Sequence, residues 1–124
     1  MSTLWAHSPA PGGDRWHFLA DHLRGTGELA RRFAGPFGGG EVAYWLGALH
    51  DVGKAACAWQ GRLAVVASTG SSVGIDHKSL GTRIAYERGL GAFAGAIFGH
   101  HGGLIDSPTL WHQVQRRLND APGT

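Results

Sequence analysis

The sequence predicts an all-α fold, a compact helical bundle of about five to six helices. Apolar residues recur at three- and four-residue intervals through most of the chain, as one face of a helix requires. No apolar–polar alternation lasts more than a few residues, so no sheet is expected. Clusters of glycine, proline and serine separate the periodic segments and stop them. With 124 residues, the chain reads as one domain, 1–124, enough for a single core but too short for two.

Taken in order, residues 1–13 form an irregular opening that closes on Pro11-Gly12-Gly13. Asp14 is placed to cap a helix running to about Ala34, with Phe18, Leu19, His22, Leu23, Leu29, Ala30 and Phe33 at near-helical spacing. Gly35–Gly40 breaks it. Glu41 opens a second helix through Val42, Tyr44, Trp45, Leu46 and Leu49, which delivers His50 and Asp51 at its end. A short helix from about Lys54 to Leu63 follows, then a small-residue loop from Ser68 to Gly74. Asp76 can cap a helix carrying His77, Leu80, Ile84 and Ala85. The stretch from Leu90 to Phe98 is apolar on nearly all sides, which predicts a central buried helix ending at Gly99-His100-His101-Gly102-Gly103. The last helix starts at Ser107, has Pro108 at its first position and reaches about Asn119.

Apolar residues make up 43% of the chain and charged residues 16%, the balance of a globular chain rather than a disordered one. No uninterrupted apolar run of about 18 residues occurs, and no basic segment leads into an apolar one at the N-terminus. The expected location is the cytoplasm. The single cysteine, Cys57, cannot form an internal disulfide, which agrees with a reducing compartment, and it is expected to be a small core residue. A net charge of +2 tolerates a polyanionic substrate without requiring one. The 21 glycines, many inside helical segments, predict modest stability to which a bound metal contributes.

Eight histidines stand out in so short a chain. The pair His50-Asp51 is followed by Val52-Gly53-Lys54, with His22 before it and His77 and the pair His100-His101 after it. Each histidine alone is more often a packed or surface residue than a ligand; the set carries the reading. Imidazole is a favoured ligand of transition ions, and a carboxylate beside it can bridge two of them. His22, His50, Asp51, His77, His100 and His101 are therefore the candidate metal ligands, in the order of a metal-dependent phosphohydrolase of the His-Asp (HD) type. Two ions about 3.5–4 Å apart can activate a water and clamp a phosphodiester. Asp51 and Lys54 are the candidate catalytic residues, Lys54 as the cation for developing phosphate charge. Three histidines stay outside the set. His17 precedes His22 by five residues, about 140° away around a helix, and is expected to pack or to touch substrate. His7 is left unassigned, and His112, beside Trp111, is expected at the surface or filling the core. The basic pairs Arg31-Arg32 and Arg116-Arg117 are read as solvated faces, and Trp5, Trp16, Trp59 and Trp111 as packing residues rather than base-stacking platforms.

Beyond these residues, the sequence resembles the HD nuclease domain of the type I CRISPR effector nuclease-helicase, including its stand-alone form. The resemblance is carried by Leu4-Trp5-Ala6-His7-Ser8, by Trp16-His17-Phe18-Leu19 leading to His22-Leu23, and by His50-Asp51-Val52-Gly53-Lys54-Ala55 with Trp59-Gln60. His77-Lys78-Ser79-Leu80-Gly81 and Gly99-His100-His101-Gly102-Gly103 complete it. It implies an HD-domain helical bundle and a metal-dependent nuclease degrading single-stranded DNA supplied by a separate or fused helicase and a crRNA-guided surveillance complex. It also implies that His22, His50 and Asp51 hold one ion, and that Asp51, His77, His100 and His101 hold the other. Lys54 and Ser79 are expected to bind substrate. The implied ions are manganese, iron, nickel or cobalt rather than magnesium, as imidazole-rich ligation favours.

The family pattern continues past the His-His pair to C-terminal helices carrying a further Asp for the first ion. Only Asp106 and Asp120 are acidic in the corresponding part of this chain, and neither is expected to replace it. Two alternatives stay open. One is an HD phosphohydrolase acting on nucleotides or cyclic oligonucleotides; the other is a non-catalytic metal-binding HD module.

Overall fold

A computed structural model of the chain describes residues 3–120, and its first element is not a helix. Trp5–His7 (β1) and His17–Phe18 (β2) pair antiparallel, with Trp5 opposite Phe18 and His7 opposite His17. Trp5 stacks on Phe18 at 4.7 Å between ring centroids and lies 5.4 Å from Trp16. The Leu19 amide donates to the Leu4 carbonyl, so the chain is still extended at the point where a helix was expected to be four residues old. The first helix, α1, therefore spans Leu19–Ala34, and Asp14 does not cap it. The ribbon escapes a pattern search because two or three residues cannot display a period of two.

From there the architecture is helical. Helix α2 is Gly40–Leu49, α3 Cys57–Val66, α4 Lys78–Glu87, α5 Ala94–Gly99 and α6 Ser107–Asn119. Short 3-10 turns occupy Gly35–Phe37, Val52–Ala55 and Gly91–Phe93. Lys54 thus sits on a 3-10 turn, and α3 begins and ends three residues later than expected. Cys57, the first residue of α3, is exposed rather than core. At α6 the predicted boundaries hold, because the local chemistry is complete: the Asp106 carboxylate accepts from the Thr109 amide at 3.0 Å, and Pro108 needs no hydrogen bond there.

Helices α1 and α2 pack through glycine. A Cβ on Gly47 would come within 2.8 Å of the Thr26 carbonyl oxygen, and one on Gly27 within 2.9 Å of the Tyr44 ring. The core proper forms where Ala85, Ala94 and Ile97 meet Leu46, Leu49, Tyr86 and Leu90, and where Phe98, Leu110 and Val114 meet Tyr86 and Leu118. The apolar stretch 90–98 is central, as predicted, but it is a turn plus a six-residue helix, and Phe93 is half exposed. On α1 the apolar residues Leu29 and Phe33, which fall at helical spacing, face solvent at 54% and 74% exposure. No described helix is long and apolar enough to cross a membrane.

Two contacts bring the functional helix ends together. A Cβ on Gly81 of α4 would collide with the Leu49 carbonyl at the end of α2, and one on Gly53 would collide with the His77 carbonyl. Only glycine allows these backbones to touch, and their touching sets His50-Asp51 beside His77.

Candidate metal centre

Asp51 occupies the position after α2 where the chain turns into Val52–Ala55, and it is buried. His22 comes from the second turn of α1, His50 caps the C-terminus of α2, His77 precedes α4, and His100 and His101 follow α5. All six expected ligands come together. The two oxygens of the Asp51 carboxylate divide them. Oδ2 lies 3.0 Å from His22 Nε2, 3.2 Å from His50 Nε2 and 2.8 Å from Lys54 Nζ. Oδ1 lies 3.2 Å from both His77 Nε2 and His100 Nε2. The His101 ring completes the second side, 5.1 Å from the His77 ring and 4.1 Å from that of His100.

The ring nitrogens are oriented from behind. His50 Nδ1 is 2.6 Å from the Gly47 carbonyl oxygen, and His100 Nδ1 is 2.6 Å from that of Ile97. A carbonyl only accepts, so each Nδ1 must carry the hydrogen, and the Nε2 of the neutral ring then bears a lone pair. Both lone pairs face a carboxylate oxygen, which is also an acceptor. His77 Nε2 is buried, close to Asp51 Oδ1, yet has no hydrogen-bond partner. Acceptors converging in this way require a positive charge between them, and a divalent ion fits better than a series of extra protons. Ligand atoms of Asp51, His77, His100 and His101 lie within 4.8 Å of one another, as do those of His22, His50 and Asp51. A donor set with five imidazoles and one carboxylate suits a transition ion. The side chains of His22, His50 and His77 are 17% exposed around a carboxylate that is 4% exposed, an opening through which water can complete a coordination shell.

The charges respond to this geometry. Burial works to raise the Asp51 pKa, but contacts with His100, His50, His77 and Lys54 outweigh it and hold the carboxyl far below its usual range. Burial also disfavours protonated His50; its contacts with Asp51 and the Gly47 carbonyl prevail and leave its pKa raised. For His22 burial wins and the pKa is lowered, and for His101 burial and the neighbouring His100 lower it.

Lys54 is buried, its ammonium held by Asp51 and 3.3 Å from the Ala6 carbonyl oxygen, so in this state its charge neutralises the bridging carboxylate. Ser79, expected to contact substrate, is fully buried; its amide donates to Asp76 and its hydroxyl has no partner. It therefore faces the interior rather than a substrate. Asp106 spends both carboxylate oxygens on Thr109, and Asp120 caps α6; neither joins a group that can hold a metal among the described residues. A cavity of about 780 Å3 is lined by Asp76, Arg83, Arg116 and Leu118 among others, and by none of the metal-site histidines.

Two histidines left outside the set lie beside it. The His7 ring is 5.0 Å from that of His22 and the His17 ring 5.4 Å. The 140° offset assigned to His17 assumed a helix through residue 17; β2 replaces that helix, and the offset does not apply. The available signal was the repeated placement of a histidine next to or near a tryptophan, at Trp5-Ala6-His7 and Trp16-His17. Burial chiefly, with Lys54 and His22 adding to it, lowers the His7 pKa to about 4.

Comparison with curated proteins and with solved structures gives no match. The family described as Cas3, HD domain matches residues 24–122, which takes in His50, Asp51, Lys54, His77, His100 and His101 but not His22. With most of its length matched and the histidine–aspartate cluster assembled, the chain belongs to that family, one of metal-dependent HD hydrolases.

Proposed function

We propose that this centre cleaves the phosphodiester bonds of single-stranded DNA, acting in CRISPR interference beside a helicase and a crRNA-guided complex in the cytoplasm. One observation carries the hydrolytic reading: a buried carboxylate whose two oxygens each face a separate cluster of imidazoles. Divalent ions, when bound there, supply the positive charge that acidifies water and offsets charge on phosphoryl oxygens. The residues do the rest. Asp51 bridges the two sides, while His50 and His100, held by the Gly47 and Ile97 carbonyls, keep their Nε2 atoms aimed inward. Lys54 sits where it can exchange its hold on Asp51 for charge building on a phosphate. Beyond His101 the chain is open: nothing lies within 4 Å of a Cβ built on Gly102 or Gly103, so a polynucleotide backbone can approach the imidazoles closely.

Manganese, iron, nickel or cobalt should support the reaction better than magnesium, because imidazoles outnumber the single carboxylate. In each basic pair one arginine is engaged within the fold, while the other, Arg32 or Arg116, is exposed. Arg31 is engaged with Glu41 and the Tyr44 ring, and Arg117 with Asp76 and the Phe98 ring. The test is cleavage of labelled single-stranded DNA in manganese or nickel, expected for the wild type and absent for Asp51→Ala. A wild type as inert as Asp51→Ala overturns the proposal, and phosphate release from a nucleotide panel without DNA cleavage assigns the centre to nucleotides instead.

A further inference from the structure

We propose that His7, His17 and His22 form an additional cation site, a tri-imidazole site for zinc or nickel that ties the N-terminal ribbon to α1. The three rings come from three elements. Pairing of β1 with β2 sets His7 opposite His17, with ring centroids 5.9 Å apart and planes inclined by 29°. Both meet the His22 ring nearly at right angles, at 88° and 82°, so the nitrogens converge instead of stacking in one column. One ligand atom from each ring lies within 4.8 Å of the others. Zinc–nitrogen bonds of about 2.0–2.1 Å place tetrahedral ligands ~3.4 Å apart. His7 and His17 are exposed and free to close that gap by small side-chain rotations.

This group differs from the Asp51 centre in chemistry as well as place. Neither His7 nor His17 groups with Asp51, and only His22 is shared. When both sites are filled, His22 can serve both only as the imidazolate, which has given up its ring proton to solvent and bears a lone pair on each nitrogen. Without a carboxylate, the ribbon group offers three imidazole donors and an open fourth position, which selects zinc or nickel and rejects magnesium. None of the three residues falls within 24–122, the range matched by the family. The fold also has a use for such a tie. A ribbon of three residues against two is marginal by itself. Here it is held by the Trp5–Phe18 stack and by Gln60, which accepts from the Trp5 amide at 3.0 Å and donates to its carbonyl at 2.8 Å. Those ties fix Trp5; an ion would fix the other end, beside the Ala6 carbonyl that receives Lys54.

The experiment is equilibrium dialysis of the metal-stripped protein against micromolar zinc or nickel, with equivalents per chain read by elemental analysis. Wild type is expected to bind one equivalent more than His7→Gln/His17→Gln. Each single variant should weaken that equivalent by more than the about 10- to 100-fold typical of losing an outer-shell partner. Circular dichroism verifies that the variants fold, which the exposure of both positions favours. A second double variant, His77→Gln/His101→Gln, is expected to keep the ribbon equivalent while losing one at Asp51. Unchanged stoichiometry and affinity in His7→Gln/His17→Gln overturn the proposal, as does loss of all zinc from His77→Gln/His101→Gln. No DNA enters the experiment, so its outcome is independent of whether the Asp51 centre is a nuclease.

Discussion

Asp51 and the groups that touch it set both chemistry and stability at the residue scale. Removing its charge leaves Lys54 buried against a neutral partner, a change that costs about 3–5 kcal/mol when a buried pair is broken. Urea unfolding of the metal-free protein should show Asp51→Asn destabilised by that order, besides losing metal. The pH dependence differs by residue. His7 has its folded pKa lowered from 6.5 to about 4, so between those values the unfolded chain takes up the proton first. Its contribution is therefore fully present above pH 6.5 and is lost as pH falls toward 4; His50, with its pKa raised, contributes below 6.5 and loses that contribution as pH rises through its folded value. In metal-stripped protein, wild type should lose more stability between pH 7 and pH 4 than His7→Gln does. Solvent around the exposed part of the His7 ring screens the effect, so the loss is smaller than the full shift would imply. The residues that cluster around Asp51 were legible in sequence because imidazole and carboxylate carry their chemistry wherever they stand. Burial was not: Ser79 looks like a surface hydroxyl until α4 packs and encloses it.

Among the elements, glycine has opposite meanings at different positions. Gly81→Ala places a methyl against the Leu49 carbonyl, a backbone atom that cannot step aside, and should destabilise by about 1–3 kcal/mol while lowering metal occupancy. Gly61, within α3, has nothing within 4 Å of its built Cβ, so Gly61→Ala should stabilise by about 0.5–1 kcal/mol. Thermal unfolding of the two variants checks both signs. Helix α6 was readable to the residue because its start is encoded locally, by Asp106, Pro108 and the Thr109 amide. The start of α1 was not, since the hydrogen bond from Leu19 to Leu4 and the Trp5–Phe18 stack outweigh the local preference of Asp14 for a cap.

For the molecule as a whole, the metal centre is a junction of helix ends. It draws on α1, α2, α4 and α5, so an ion that binds only the folded chain stabilises their packing together. At a free concentration 100 times the dissociation constant, one ion adds about 2.7 kcal/mol. Chelation should lower the thermal midpoint of wild type by more than that of Asp51→Ala, which keeps only the ribbon site; equal shifts in both would mean that the ion acts elsewhere.

Residue identity and spacing were enough to indicate a helical chain and a group of five histidines with one aspartate, because these follow from local periodicity and side-chain chemistry. Tertiary structure alone decided which oxygen of Asp51 each imidazole faces, and that Lys54 lies buried on Asp51. It also set His7 and His17 next to His22, and left Leu29 and Phe33 of α1 in solvent. Those outcomes depend on contacts between residues far apart in the chain, made possible where Gly47, Gly53 and Gly81 let backbones touch, and no stretch of sequence read in isolation contains them.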